Sequence, residues 1–338
     1  MTRYEDLDEQ GQVATVTEAA HLALPLLGID ARHVELVAHT YNSTFTVDLV
    51  AGGRVAVRVL VNSIADDAHV RGQLAWAQAL AVSGVPVPPP WFGPGGEDLV
   101  VVRPTGADRD FRVCASWWVE GEVRDELDAA GAFATGSVMA RMHAQAARWA
   151  LPEGTRFPVM TDALCGYPDL VTPAVATDGD RAVVAEAMRR AQAAVDAANA
   201  AGVLPVHADL HAGNLLWLAG RDEPYVLDLD DAVVASPAHD LAVSVFYTRR
   251  APDPGATAQL FAGYGSQAPL PPVDSVTFEG LVAARQLSLA ASLLDTVTPS
   301  FRADAESYLV TTLARLRHYL DDGVLDPRIV AGGWQPPA

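Results

Sequence analysis

Two histidines, an aspartate and an asparagine share one short apolar stretch, VLPVHADLHAGNLLWL, at residues 203–218. His207 and His211 are four residues apart, which is the spacing of two metal ligands on one turn of a helix. Pro205 and Gly213 flank the pair and disfavour a helix, and no glutamate neighbours His207 to act as a base. A catalytic loop is therefore the favoured hypothesis, and a metal-binding helix is the alternative.

The same stretch contains the pattern H-x-D-x-x-x-x-N, formed by His207, Asp209 and Asn214, and an acidic run, LDLDD, follows at 227–231. Phosphoryl transfer needs a carboxylate beside the acceptor hydroxyl, oxygen ligands for Mg²⁺ and a positive group over the phosphates of ATP or GTP. Asp209 would be the base, and Asn214 and Asp228 would bind Mg²⁺, which takes few protein oxygens. The residues thus predict a kinase.

These motifs resemble those of the aminoglycoside phosphotransferase and choline kinase-like family, within the protein-kinase-like superfamily. That family has an H-G-D-x-x-x-x-N loop, and here Ala208 stands where glycine is usual. VLDLDDA at 226–232 is similar to its second metal motif, and SPAHDLA at 236–242 is similar to its P-x-x-D-L-A segment. The resemblance implies that Asp228 binds the metal and that Asp240 braces the catalytic loop.

Five further polar residues receive supporting roles. His207 would fix the geometry of the catalytic loop, and Asp230 would lie near the metal. Asp231 would either support that site or lie on a solvated edge. His211 would brace the loop or touch substrate, and His143, in a helical pattern, would be structural.

The N-terminal third resembles the nucleotide-binding half of the same family. YNSTFTVDL is similar to its phosphate-covering hairpin, in which we expect Asn42, Ser43 and Thr44 to form the turn and contact the nucleotide. VAVRVLV matches the strand of its phosphate-binding lysine, with Arg58 in that position. VRGQLAWAQAL matches the helix of the lysine's glutamate partner, with Gln73 there. Arg58 can still bind two phosphate oxygens.

The segment SWWVEGE resembles the hinge, whose backbone N–H and C=O groups bind the purine ring. Trp118 and Val119 would supply those groups. Large aromatic side chains most often pack in cores, so we expect at least one of Trp117 and Trp118 to be a core residue.

The elements that must position these residues change character along the chain. Alternating β-rich runs at 33–50 and 54–61, and two more ending at Gly121, predict strands. Helical periodicity predicts six helices, at 15–28, 66–81, 126–150, 181–200, 277–297 and 302–320.

This order predicts an α+β protein, and the resemblance implies a protein-kinase-like two-lobed fold. Residues 1–115 would form a β-rich nucleotide-binding lobe and residues 116–121 the hinge. Residues 122–338 would form a mainly helical catalytic and substrate-binding lobe that ends in a loose tail, GGWQPPA.

Composition restricts the partners and the compartment. The formal net charge of the 338 residues is −19 and lysine does not occur, which argues against a nucleic-acid partner. This charge would attract a cationic substrate, but solubility is the favoured explanation for most of it. No uncharged apolar run is long enough for a membrane span and no secretory signal precedes the first elements. Two cysteines, Cys114 and Cys165, form no disulfide framework, so we expect a cytoplasmic protein.

The acceptor stays open at this stage. A small molecule is the first hypothesis, with an antibiotic as one candidate and resistance or self-protection as the purpose. A small-metabolite kinase for an amino alcohol or a sugar is the second. A stress-response-type Ser/Thr protein kinase is the third, because LDLDDA resembles its metal motif, and a non-catalytic pseudokinase is the fourth. A small acceptor would be enclosed by helices of 160–180 and 277–320, whereas a protein acceptor needs an open cleft.

Overall fold

The computed structural model describes residues 3–332, so the predicted tail lies outside the described residues except for its first glycine. The strands are β1 (Ala31–His39), β2 (Ser43–Leu49), β3 (Arg54–Leu60), β4 (Leu99–Val102), β5 (Phe111–Trp117), β6 (Glu122–Val123), β7 (Leu204–Val206), β8 (Leu215–Trp217), β9 (Tyr225–Val226) and β10 (Val233–Ala235). The helices are α1 (Glu9–Leu26), α2 (Asp67–Val82), α3 (Ala129–Ala146), α4 (Val171–Ala174), α5 (Asp178–Ala200), α6 (Pro237–Thr248), α7 (Ala256–Gln267), α8 (Ser275–Asp295) and α9 (Pro299–Asp322).

Five antiparallel strands in the order β1-β2-β3-β5-β4 form the N-terminal sheet. Burial alternates along β2 and β3, because one face packs against α1 and the other faces the cleft. Arg58 lies opposite Thr44 on β2 and Cys114 on β5. The turn between β1 and β2 is Thr40–Asn42, so Ser43 and Thr44 already belong to β2, and the prediction of a turn at 42–44 is wrong by two residues.

Helix α2 connects the sheet to the helical part of the chain. Asp66 caps its first turn by accepting the N–H of His69 at 3.0 Å. Trp76 and Leu80 are fully buried, and both lie in the large core formed with the C-terminal helices. Helix α2 therefore contributes to both halves, and the lobe boundary at residue 115 stays a prediction.

The C-terminal helices pack around the loops that follow β7 and β9. Helices α3 and α7 cross closely at two glycines, Gly136 and Gly263, whose positions leave no room for a Cβ atom. Helices α5, α6, α8 and α9 form the remaining bundle. The expected helices at 160–180 are wrong, because only the four residues of α4 and the start of α5 at Asp178 are helical there, and Pro168 restricts the chain before α4.

Three short strand pairs hold the segment 207–214 in place. Strand β7 pairs with β10, and β8 pairs with both β6 and β9. The segment between β7 and β8 therefore lies beside the segment between β9 and β10. Within residues 3–332, no helix is both long enough and apolar enough to cross a membrane.

Candidate active site

The loop between β7 and β8 is held by the carboxylate of Asp240, which lies in the first turn of α6. Asp240 accepts the backbone N–H of His207 at 2.9 Å and that of Ala208 at 2.6 Å. Ala208 has a φ of +65°, a region that favours glycine. The loop therefore keeps the conformation for which the family usually has glycine. The ring of His207 bonds the carbonyl of Leu227 at 2.8 Å and joins the loop to the acidic segment.

Asp240 is in turn fixed by α3. His143 Nε2 lies 2.9 Å from Asp240 Oδ2, and His143 Nδ1 lies 3.1 Å from the Tyr264 hydroxyl of α7. Burial opposes ionisation of Asp240, but these donors hold its pKa below the ordinary value. A buried charge with three hydrogen-bond partners makes a rigid support for the loop.

Asp209 projects from this loop and contacts a residue that the sequence analysis did not identify. Arg285 of α8 donates from Nη2 to Asp209 Oδ1 and, at 2.6 Å, to the Tyr247 hydroxyl. His211 Nε2 lies 3.5 Å from Asp209 Oδ2, and the His211 ring stacks on Tyr247. Burial raises the pKa of Asp209, but Arg285 and His211 outweigh burial and leave that pKa well below its ordinary value.

Asn214 and Asp228 lie close to Asp209 and have side-chain oxygen atoms that could bind a cation. Asn214 Nδ2 donates to the Asp209 carbonyl at 2.8 Å, which turns its Oδ1 away. The backbone N–H of Leu227 donates to the Asn214 carbonyl at 2.8 Å. This bond places the next residue, Asp228, close to Asn214. Among the described residues no donor pairs with Asn214 Oδ1 or Asp228 Oδ2. One amide and one carboxylate oxygen fit a hard cation such as Mg²⁺.

The alternative of a metal-binding helix at His207 and His211 is excluded, because no such helix is formed. His207 bonds backbone groups, and His211 caps the short 3₁₀ turn Ala212–Asn214 by accepting the N–H of Gly213 at 3.1 Å. The part of the chain that the structure describes contains no group of three His, Cys, Asp or Glu side chains placed to hold a metal.

Arg58 bridges two of the acidic residues. Its Nη1 donates to Asp228 Oδ1 at 3.0 Å and its Nη2 to Asp230 Oδ2 at 2.8 Å. Burial opposes the charge of Arg58, but these two carboxylates raise its pKa above the ordinary value. Asn42 adds a bond of 2.5 Å from its Nδ2 to Asp230 Oδ2. The structure thus brings together Arg58, Asn42 and the acidic segment.

Gln73 does not pair with Arg58 through any hydrogen bond within residues 3–332, contrary to the expected substitution of a lysine–glutamate pair. Its Nε2 instead donates to the Asp230 carbonyl at 2.6 Å and lies 3.1 Å from His69 Nε2. Arg58 contacts Asp228 and Asp230 through Nη1 and Nη2. Gln73 therefore contacts the backbone of the acidic segment.

The predicted phosphate-contacting residues lie in different environments. Asn42 is buried, and its Oδ1 accepts the Val61 N–H at 2.8 Å. Ser43 is also buried, and its hydroxyl lies 2.7 Å from His39 Nδ1. Thr44, opposite Arg58, is the most exposed of the three and faces the cleft. The side chains of Asn42 and Ser43 thus have partners inside the protein.

The segment after β5 shows the two tryptophans outside the core, so the expectation that one of them packs there is wrong. Trp117 is 43% exposed and packs against Trp91, and Trp118 is half-buried beneath Arg54. The backbone N–H of Trp118 donates to the Arg54 carbonyl at 3.0 Å. Among the described residues, the carbonyl of Trp118 and both backbone groups of Val119 make no hydrogen bond, so these groups are available to a purine.

Tyrosines that the sequence analysis missed line the other side of the acidic segment. Tyr41, in the β1–β2 turn, and Tyr167 share a hydrogen bond of 2.7 Å between their hydroxyls. Burial and the nearby charge of Asp209 raise the pKa of Asp231 to about 8. Tyr41 begins the segment YNSTFTVDL but received no role from it. No short motif marks Tyr167 or Arg285, because both reach the site from distant parts of the chain.

Comparisons with known proteins agree with this geometry. The family model of the phosphotransferase enzyme family (APH) matches residues 33–274. No curated protein sequence matches the chain. The structure of a microcompartment-associated aminopropanol kinase superposes with a TM-score of 0.74 at 24% identity, covering 92% of this chain and 99% of that one.

Two antibiotic kinases have the same fold. An amicoumacin kinase, solved with AMP-PNP, Ca²⁺ and its substrate, has a TM-score of 0.71 at 16% identity, covering 96% of this chain and 98% of that one. A spectinomycin phosphotransferase, solved with ADP and spectinomycin, has a TM-score of 0.54 at 13% identity, covering 89% and 98%. The expected α+β, protein-kinase-like fold is confirmed. With 242 of its 338 residues matched by the family model, the chain belongs to the phosphotransferase enzyme family.

Proposed function

We propose that the chain transfers the γ-phosphoryl group of ATP or GTP to a hydroxyl of a small, amine-bearing molecule, with Mg²⁺. One observation carries the proposal. A carboxylate (Asp209), two oxygen ligands (Asn214 and Asp228) and an arginine (Arg58) are joined by direct hydrogen bonds or adjacent backbone in one cleft. These are the parts that phosphoryl transfer requires.

Asp209 would orient the acceptor hydroxyl and accept its proton as the hydroxyl oxygen bonds to the γ-phosphorus and the bond to the departing ADP or GDP breaks. Because its pKa is low, Asp209 is ionised and can act as an acceptor at neutral pH. Arg58 would bind phosphate oxygens, since its guanidinium stays charged in the cleft. Mg²⁺, held by Asn214 and Asp228, would supply charge neutralisation at the phosphates.

The size of the acceptor is restricted by the connection between α8 and α9, residues 296–298, here called the strap. The strap bonds the N-terminal sheet: Asn62 Oδ1 accepts the Val297 N–H at 2.8 Å, and the Thr298 hydroxyl donates to the Thr40 carbonyl at 2.9 Å. Val297 also packs against the core beneath the sheet. Together with the Tyr41–Tyr167 contact, the strap ties the β1–β2 turn to the helical part of the chain. We infer that these ties close one end of the cleft, which favours a small molecule over a protein acceptor.

The charge around Asp209 favours an acceptor that carries an amine. Asp231, half-buried, makes no hydrogen bond to another described side chain, and its pKa is raised by burial and by Asp209. A bound ammonium group would restore its ionisation. The names of the related structures include an aminopropanol and two antibiotics, so both amino alcohols and antibiotics belong in the acceptor panel.

The experiment is a screen for nucleotide consumption with ATP and GTP against amino alcohols, sugars and hydroxyl-bearing antibiotics, read by mass spectrometry for the gain of one phosphate. A protein acceptor such as casein and a reaction without acceptor are the controls. We expect phosphate on a small amine-bearing acceptor. Phosphate on casein alone would instead indicate a protein kinase, and the absence of any nucleotide binding by calorimetry would refute the proposal.

A further inference from the structure

We propose that Asp230 is the residue that positions Arg58, so that the carboxylate partner of the phosphate-binding cation comes from the acidic segment after β9 and not from α2. The proposal rests on the proposed function, because it assigns Arg58 to the nucleotide. In this proposal Asp230 positions Arg58 and does not bind the metal.

The geometry of Asp230 is that of a fixed partner. Its carboxylate is 14% exposed and accepts Arg58 Nη2 at 2.8 Å and Asn42 Nδ2 at 2.5 Å, both on the same oxygen. Asn42 is held in turn by the Val61 N–H at the end of β3. Because Arg58 also lies on β3, Asp230 is tied to the strand of Arg58 by two routes.

Asp228 has a different environment. Its side chain is 38% exposed, and only its Oδ1 contacts Arg58, at 3.0 Å. Its other oxygen is open to the cleft beside Asn214. Asp228 is therefore suited to share its carboxylate with a metal, whereas Asp230 contacts only groups of the N-terminal sheet through its side chain.

Gln73 explains why α2 needs no glutamate. Its Nε2 donates to the Asp230 carbonyl at 2.6 Å, so α2 positions the backbone that presents the Asp230 carboxylate. A glutamate at residue 73 would place a carboxylate against that carbonyl without a donor. Helix α2, Asp230 and Arg58 are still linked, but Asp230 lies between α2 and Arg58.

The test is calorimetric binding of ADP in EDTA, where no metal contributes. We expect Asp230→Asn to weaken ADP binding by about tenfold or more, comparable to the loss of one charge-assisted contact. Asp110→Asn is the control, since it removes a carboxylate from another arginine, Arg103, in the connection between β4 and β5, and should leave ADP binding unchanged. A metal ligand would show the opposite pattern, with metal-free binding intact and binding lost only in the presence of Mg²⁺.

A double-mutant cycle then separates positioning from general damage. If Asp230 acts through Arg58, the variant Arg58→Met/Asp230→Asn should bind ADP no more weakly than Arg58→Met alone. In steady-state assays Asp230→Asn should raise KM for the nucleotide more than KM for the acceptor. Additive losses in the cycle, or unchanged metal-free ADP binding by Asp230→Asn, would overturn the inference. A wild-type chain that binds no nucleotide would refute the proposed function instead.

Discussion

At the scale of single residues, the site depends on a backbone conformation that its own sequence does not favour. Ala208 has a φ of +65°, and its N–H lies 2.6 Å from Asp240 Oδ1. An L-residue in this region costs about 1–2 kcal/mol, so the bonds to Asp240 must offset strain. Alanine in place of the family's usual glycine therefore lowers stability but leaves the loop geometry unchanged.

Replacing Ala208 with glycine should raise the free energy of unfolding by about 0.5–1 kcal/mol, because the relief of strain exceeds the extra entropy of a glycine in the unfolded chain. Denaturant titration measures the change. Ala14→Gly, at an exposed position inside α1, is the control and should lower stability by about 1 kcal/mol. A loss of stability at both positions would show that Ala208 is not strained.

Arg285 is a second residue whose part becomes visible only in the structure. It donates to Asp209 Oδ1 and Tyr247 and is 12% exposed. Because Arg285 stabilises the ionised form of Asp209, its removal must raise the pKa of Asp209.

Arg285→Gln should therefore shift the acidic limb of the kcat/KM profile to higher pH by about one unit or more, so activity falls more at acidic than at alkaline pH. The profile of Arg317→Gln, which removes an ion pair to Asp180 away from the site, should match that of the wild type. A uniform loss of activity across the pH range would contradict the assigned contact.

At the scale of elements, the support of the catalytic loop depends on how closely two helices approach. A Cβ atom at Gly263 of α7 would lie 1.9 Å from the Phe133 carbonyl of α3. These helices carry Tyr264 and His143, which lead to Asp240. The crossing therefore sets the position of the Asp240 support.

Gly263→Ala should lower the free energy of unfolding by about 2 kcal/mol or more, because the helices must separate. Gly265→Ala, on the same helix in open space, should raise it by about 0.5–1 kcal/mol through helix propensity. Thermal and denaturant unfolding of the two variants provide the comparison, and equal effects would show that the close crossing is not real.

Local patterns predicted most of these elements, but not the contacts between them. The alternating runs at β2 and β3 and the helical periods of α2, α3, α5, α8 and α9 were recognised to within a few residues. The helices of 160–180 were wrong, because an apolar stretch with prolines packs as irregular chain. The partner of Arg58 could not be predicted, since Asp230 is 172 residues away and only the packed fold brings the two together.

At the scale of the whole molecule, the proposed function has charge and enclosure act together on the acceptor. The net charge of −19 attracts cations, and the strap bonds Asn62 through Val297 and Thr298. We therefore propose that the molecule selects an acceptor that is small and positively charged.

Raising the ionic strength should increase KM for a cationic acceptor several-fold between about 0.05 and 0.5 M salt, because the screening length falls over this range. A neutral acceptor of the same size, measured in parallel, should show little change. If both acceptors respond equally, the acidic surface serves solubility alone.

The central claim is that Asp209 accepts the proton of the acceptor hydroxyl during phosphoryl transfer. The most direct measurement compares kcat of Asp209→Asn with that of the wild type, with ADP binding measured by calorimetry on the same preparations. The account predicts a fall in kcat of about 10²–10⁴-fold with nearly unchanged ADP binding. Turnover within a few-fold of wild type would contradict it.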